Sequence, residues 1–423
     1  MKKSIFMFTV LSGLFVASCI KDPHAGPHLG YSSNKVILEW NEVAYQAFGG
    51  EAYLNSVMAS KINAMTQLAM HDALNAVKPV YATYAFKGRD AAAHPVVAAA
   101  SAAHTVLVHE IPEAVEFLDS ALQQTLATVA DGQAKNRGIL LGKEAGQAII
   151  DARESDGSAG NPFGPVPPSA DPGVYRIVPP FDFVFAPHWV DVKLFGLQSK
   201  DQFRSSVHPL LDSDEYAVAL NEVKEAGRLI SDTRTEDQTA TAHFWYEFSE
   251  AGWNRVARIA AKNKNLGLWE TARLFALLDM ALADAYIAGW ESKFHYNLWR
   301  PYTAIRNAAG DNNDQTGEDA LWEPLMPTPP VQDYPSTHSA LGNAAATILG
   351  NILGDQTPFS MSSPTELPGS NPRTFTGFRQ AANENADSRV MAGIHFRFAC
   401  DAGQDLGDRI GQWMLDHHLK PLK

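Results

Sequence analysis

The stretch LWETARLFALLDMALADAYIAGWE, residues 268–291, decides the fold. At helical spacing its apolar residues fall on nearly every face, and a helix that is apolar all round belongs in the centre of a large protein. Such a helix needs others around it, and they are legible on both sides. Ser56 to Val77 places Met58, Ile62, Met65, Leu68 and Leu74 mostly at three- and four-residue steps, the period of an amphipathic helix. Similar patterns run over 92–110, 113–130, 132–154, 214–229 and 237–248. A small-residue helix follows at 336–353, and from Phe378 to the C-terminus the pattern is helical with one interruption. Between Asn161 and about Ser205 the prolines 162, 165, 167, 168, 172, 179, 180 and 187 are interleaved with Phe, Tyr and Trp, so helix is not available there. Residues 311–330 and 356–372 read as loops. With no internal repeat and few alternating strands, the class is all-α: an N-terminal helical half (35–160), an irregular Pro- and aromatic-rich segment (161–213) and a C-terminal helical half (214–423).

Composition bounds the function. The 423 residues carry 34 Lys and Arg against 47 Asp and Glu, a formal charge of −13, and an acidic chain with no basic run is a poor partner for nucleic acid. The two cysteines, Cys19 and Cys400, are too few for a disulfide framework or a thiolate zinc site. Lys2 and Lys3 precede an apolar run, Ile5 to Val16, that is too short to span a bilayer comfortably but has the dimensions of a signal peptide. Val16-Ala17-Ser18-Cys19 resembles the lipobox of bacterial lipoproteins. That resemblance implies removal of residues 1–18 and lipidation of Cys19, with residues 19–34 as a tether. The expected location is periplasmic or cell-surface, with the membrane engaged only through the N-terminal lipid. Loss of two lysines would move the charge to about −15.

Three segments carry candidate chemistry. Lys293 and Arg300, in KFHYNLWRP, are seven apart and would stand about two helical turns apart on one face, at the end of the most buried helix. Two buried cations need something negative, either a structural carboxylate cluster or an anionic ligand. Tyr334-Pro335-Ser336-Thr337-His338-Ser339 opens a helix whose first turn offers free N–H groups and the positive dipole end, beside a hydroxyl and an imidazole. An ordinary Ser-capped helix with a core histidine is the simpler alternative. Arg389 and His395 would lie about 240° apart on an unbroken helix. Gly393 is a plausible terminator that would turn both toward one site.

Together, Lys-x6-Arg-Pro, Pro-Ser-x-His and Ser-Arg-x5-His, in this order, resemble the vanadium-dependent haloperoxidase and type 2 phosphatidic acid phosphatase superfamily. AMHDALNAV (69–77), LNEVKEAGRL (220–229) and WESKFHYNLWRPYTAIR (290–306) are similar to its soluble bacterial haloperoxidase branch. The resemblance implies an all-α body built around two four-helix bundles. It implies vanadate as cofactor, with phosphate able to take the same place. Lys293, Arg300 and Arg389 would hold its oxygens, together with the Ser336 hydroxyl and the backbone N–H of Thr337, a position that is commonly Gly in the family. His338 would be the acid/base and His395 the ligand to vanadium. Hydrogen peroxide and halide would be the substrates and a hypohalous acid equivalent the product. Trp290 falls where relatives place a halide-pocket aromatic, although plain core packing accounts for it equally well. Val331 stands where relatives often carry an aromatic or His, so the halide preference is unread. The family's usual Asp four residues after the ligand histidine is Ala399 here, with Asp401 two further on, which implies an imidazole lacking its orienting carboxylate. A secreted acid phosphatase acting through a phosphohistidine on His395 is the alternative activity. A non-catalytic surface lipoprotein is the third reading, and it gives no reason for this cation and imidazole set.

Overall fold

The computed structural model describes residues 33–422. The expected signal peptide, the expected lipidation site Cys19 and nearly all of the expected tether lie outside that range. The N-terminal half comprises α1 (Lys35–Ala47), α2 (Ser56–Val77), α3 (Pro95–Glu110), α4 (Val115–Ala127) and α5 (Gln133–Arg153). After the Pro-rich segment come α6 (Asp214–Ala226), α7 (Glu236–Phe244), α8 (Ser249–Asn263), α9 (Leu268–Tyr296), α10 (Pro301–Arg306), α11 (Thr337–Leu353), α12 (Phe378–Met391) and α13 (Arg397–His417). The all-α expectation holds. Sheet is confined, among the described residues, to two antiparallel ribbons: β1 (Phe163–Gly164) with β2 (Val184–Phe185), and β3 (Phe359–Met361) with β4 (Arg373–Phe375). No described helix is long and apolar enough to cross a membrane.

The central stretch behaves as its composition requires. From Thr271 to Lys293 every side chain of α9 is buried, and the helix is walled by α2, α11 and α13. Three of its buried residues are carboxylates, Asp279, Asp284 and Glu291, and the first two have different tasks. Asp284 accepts the amides of Phe195, Gly196 and Leu197 at 2.7, 2.8 and 2.8 Å and so ties the irregular segment to the core. Asp72 on α2 does the same for Tyr84, Ala85 and Phe86. These bonds satisfy backbone donors that loops over an apolar core would otherwise leave unpaired.

Asp279 is less well served. It accepts Asn254 Nδ2 at 2.7 Å, its second oxygen has no partner, and burial pushes its carboxyl up to about 7. The folded state therefore keeps a proton that the unfolded chain releases near pH 4, and stability falls as pH rises toward 7. Between pH 5 and 8 the wild type is expected to lose about 2–3 kcal/mol relative to Asp279→Asn. Urea unfolding of both proteins at the two pH values checks this; parallel pH profiles would refute it.

Several local readings are corrected. The helix expected over 237–248 stops at Phe244, and a further helix, α8, begins at Ser249. The four residues between leave helical geometry, which frees backbone carbonyls for the site described below. The cations Lys293 and Arg300 do not share one helix. The helix α9 ends at Tyr296 with Asn297 in the left-handed region (φ 49°), and Arg300 precedes α10 as its N-cap. The loop expected at 356–372 contains β3. The interruption in the last helical stretch is real: Gly393 has φ 78°, its amide and that of Ile394 bond back to Val390 and Arg389, and the chain restarts as α13 at Arg397.

The helix pair that brackets the site, α11 and α13, approaches closely because α13 presents Gly403 and Gly407 one turn apart. A Cβ on Gly403 would lie 2.2 Å from the Ser336 carbonyl oxygen, and one on Gly407 would lie 2.1 Å from that of Ala340. Only glycine allows this separation.

Candidate oxyanion site

The carbonyls of Val331, Gln332 and Asp333 are the scaffold on which two of the cations assemble. Arg300 donates through Nε to the Val331 carbonyl at 2.7 Å, and Lys293 donates through Nζ to those of Gln332 and Asp333 at 2.7 and 2.9 Å. Arg300 also donates to the Ile394 carbonyl at 2.7 Å and reaches Nε2 of His395 at 2.9 Å. Thus the end of α9, the approach to α11 and the α12–α13 break meet at one guanidinium. The third cation, Arg389, comes from the last turn of α12. It donates to the Trp245 carbonyl at 2.8 Å, stands over the Tyr246 ring at 5.8 Å, and has no hydrogen-bond partner at Nε.

All three cations are at most 1 % exposed. Burial depresses each, Lys293 well below its ordinary range and Arg389 to about 10, and Arg300 adds its repulsion to both. Among the described residues Asp333 is the one carboxylate that an ion pair joins to them, 3.8 Å from Arg300. Its own carboxyl is lifted to about 7 by burial, against the pull of Arg300 and Lys293. The balance is positive, and buried positive charge without compensation is costly. The carboxylate-cluster alternative raised by the sequence therefore does not account for this place, whereas an anionic ligand does.

The imidazoles are both neutral here. His395 is 3 % exposed and pushed well below its usual value by burial and by Arg300, Lys293 and Arg389. Because a guanidinium can only donate, the 2.9 Å contact requires a lone pair on Nε2. His338, in the first turn of α11, donates Nε2–H to the Glu247 carbonyl at 3.0 Å, and burial with Arg389, Arg300 and Lys293 keeps it uncharged as well. Its Nδ1 is left to move a proton. Ser336 is the N-cap of α11, as its place after Pro335 predicts, and its Oγ accepts from Ser339 N at 3.4 Å and Ser339 Oγ at 3.0 Å. The hydroxyl proton is thereby left for a ligand at the helix N-terminus. Thr337 begins that helix, and its methyl faces Gly289 of α9, which has no side chain to meet it.

The structure thus gathers Lys293, Arg300, Ser336, Thr337, His338, Arg389 and His395, and it does so through groups the sequence hid. The backbone oxygens of Trp245 and Glu247, which seat Arg389 and His338, have no side-chain signature. Asp333 was also missed, and it corrects the reading of Ala399 as a lost orienting carboxylate: Asp333 Oδ1 stands 3.0 Å from His395 Nδ1. Its only sequence signal is an acid set between the otherwise buried Val331 and Tyr334. Trp290 is buried against Tyr286 and Phe185 and spends its indole N–H on the Phe185 carbonyl at 3.2 Å. Cys400 is free and buried, with burial pushing its thiol up to about 12.

A tetrahedral oxyanion fits this donor set. Arg389 Nε is a buried donor without a partner, the cations exceed the carboxylates, and a helix N-terminus with a hydroxyl faces the same place. The single imidazole nitrogen Nε2 would supply the bond to a vanadium centre.

Known proteins resemble this chain in sequence and in fold. The family model described as the VCPO second helical-bundle domain matches residues 273–423. Vanadium chloroperoxidase from Curvularia inaequalis is 26 % identical over 238 residues, which are 43 % of this chain; the match spans 39 % of that relative's length. The crystal structure of the first bacterial vanadium-dependent iodoperoxidase superposes with a TM-score of 0.78 at 25 % identity, over 94 % of this chain and 100 % of that one. The holo form of a bacterial vanadium-dependent chloroperoxidase superposes with a TM-score of 0.69 at 18 % identity, covering 86 % and 93 % of the two chains, and speaks for the fold alone. Residues 273–423 thus match the VCPO second helical-bundle domain, and the chain shares the fold of the bacterial vanadium-dependent haloperoxidases.

Proposed function

We propose that this protein is a vanadate-dependent haloperoxidase that uses hydrogen peroxide to oxidise halide to a hypohalous acid equivalent. The observation that carries the reading is three buried cations facing one neutral imidazole nitrogen, with a single carboxylate nearby. Lys293, Arg300 and Arg389 would hold the oxygens of vanadate, Ser336 and the Thr337 amide would donate to it, and His395 Nε2 would bind the metal. Bound there, vanadate supplies a Lewis acid that activates peroxide without changing its own oxidation state. The cations would withdraw electron density from the bound oxygens. His338, uncharged and held through Nε2 by the Glu247 carbonyl, takes the peroxide proton at Nδ1 and returns one as product leaves.

Apo-protein loaded with vanadate is expected to brominate or iodinate a phenolic dye in the presence of peroxide, and to stop when excess phosphate competes for the cradle. No bromide or iodide oxidation under those conditions would refute the reading. Release of p-nitrophenol from its phosphate by apo-protein, blocked by vanadate, would instead establish the phosphatase alternative.

A further inference from the structure

We propose that Asp333 is the positioning residue of the ligand histidine: its carboxylate holds the Nδ1–H of His395, so that Nε2 presents its lone pair to the cation cradle. The inference rests on the functional reading above, but it is argued from contacts. Arg300 NH1 lies 2.9 Å from His395 Nε2 and has only hydrogens to offer, so Nε2 is the acceptor. The neutral ring must then carry its proton on Nδ1, and the group 3.0 Å from Nδ1 is Asp333 Oδ1. Asp333 itself is fully buried, and Lys293 clasps its main-chain carbonyl at 2.9 Å. The carboxylate thus belongs to the strap leading into α11, whereas the histidine belongs to the strap leading into α13. In this chain Ala399, on the histidine's own side, has no carboxyl to offer.

The contact is not aligned as a hydrogen bond: neither Asp333 oxygen nor His395 Nδ1 has a well-directed partner. Binding of a ligand at Nε2 would raise the acidity of Nδ1–H and draw the pair into line, as a carboxylate behind a metal-bound imidazole does. Asp333 would then act on the metal through the ring and not on the oxyanion directly.

The sign of one substitution separates this role from plain electrostatics. Asp333→Ala removes a negative group beside three cations, so by charge alone every anion should bind more tightly. If Asp333 positions His395, inorganic vanadate, which needs the Nε2 bond, should instead bind about 10–100-fold more weakly. Inorganic phosphate, which needs no bond to Nε2, should bind as well as before or more tightly. Calorimetric titration of apo-protein with each anion reads both. Equal or tighter vanadate binding by Asp333→Ala, or parallel weakening of both anions, would overturn the proposal.

A second measurement needs neither anion. In ¹⁵N spectra of apo-protein, with the His395 resonances identified by their loss in His395→Gln, the wild-type ring should show a protonated Nδ1 and an unprotonated Nε2. Asp333→Ala should shift that tautomer balance. A wild-type ring protonated on Nε2 overturns the proposal even if Asp333→Ala fails to fold. If wild-type protein binds phosphate but not vanadate, the haloperoxidase reading fails while the ¹⁵N result still judges Asp333.

Discussion

Replacing His395 by alanine is expected to lower vanadate-dependent halide oxidation by about 1,000-fold or more, equivalent to about 4 kcal/mol of lost stabilisation. The ring contributes the nitrogen that meets Arg300 in the cradle, whereas His338 is held by the Glu247 carbonyl through its own Nε2. No neighbouring side chain can take over the bond. Phosphate binding should persist within a few-fold, because Lys293, Arg300 and Arg389 keep their backbone acceptors Gln332, Asp333, Val331, Ile394 and Trp245 in the variant. Steady-state bromide or iodide oxidation after vanadate loading, paired with phosphate titration, tests both halves. Activity within tenfold of wild type would show that His395 is not the ligand.

The largest effect on stability is expected from Gly393→Ala. Gly393 has φ 78°, where an L side chain is strained by about 1 kcal/mol, and the added Cβ would lie 2.3 Å from the Gly227 carbonyl oxygen and 2.9 Å from Pro324 Cβ. Gly227 is equally constrained from its side, its Cβ position lying 2.4 Å from Gly393 Cα. Neither backbone can yield without moving the strap that carries Ile394 and His395. We expect a loss of about 3 kcal/mol or more in unfolding free energy, together with weaker binding of both vanadate and phosphate. Gly369→Ala is the control: its φ is 82° in a turn closed by the Ser370 amide on the Leu367 carbonyl, yet nothing lies within 4 Å of the new Cβ, so it should cost only the backbone strain of about 1–2 kcal/mol. Urea midpoints for the two variants give the difference, and equal losses would show that the close approach to Gly227 is unimportant.

Much of the site was legible because its chemistry is carried by residue types with few other reasons to be buried. Lysine and arginine cost too much to bury without an anionic counterpart, so Lys293 and Arg300 within the most apolar region pointed to one. Ser336 was readable because Pro-Ser before a small-residue run is a helix start, and Gly393 because a terminator was needed for Arg389 and His395 to meet. The expected route by which Lys293 and Arg300 converge was wrong in an instructive way. A periodicity argument assumes that helix continues, and the left-handed Asn297 ends it; three successive carbonyls from a distant loop, and not a shared helix face, bring the two cations together.

By itself the sequence determined the helical class, the buried central helix and the cation, hydroxyl and imidazole inventory, since these follow from side-chain hydrophobicity, spacing and ionisation, which are local properties of the chain. Tertiary structure alone decided which carbonyls seat Arg389 and His338, which carboxylate stands behind His395, and how closely α13 approaches α11. Backbone acceptors are the same in every residue, and a contact between residues 333 and 395 depends on how two separate straps cross. Neither leaves a mark that a linear reading can find.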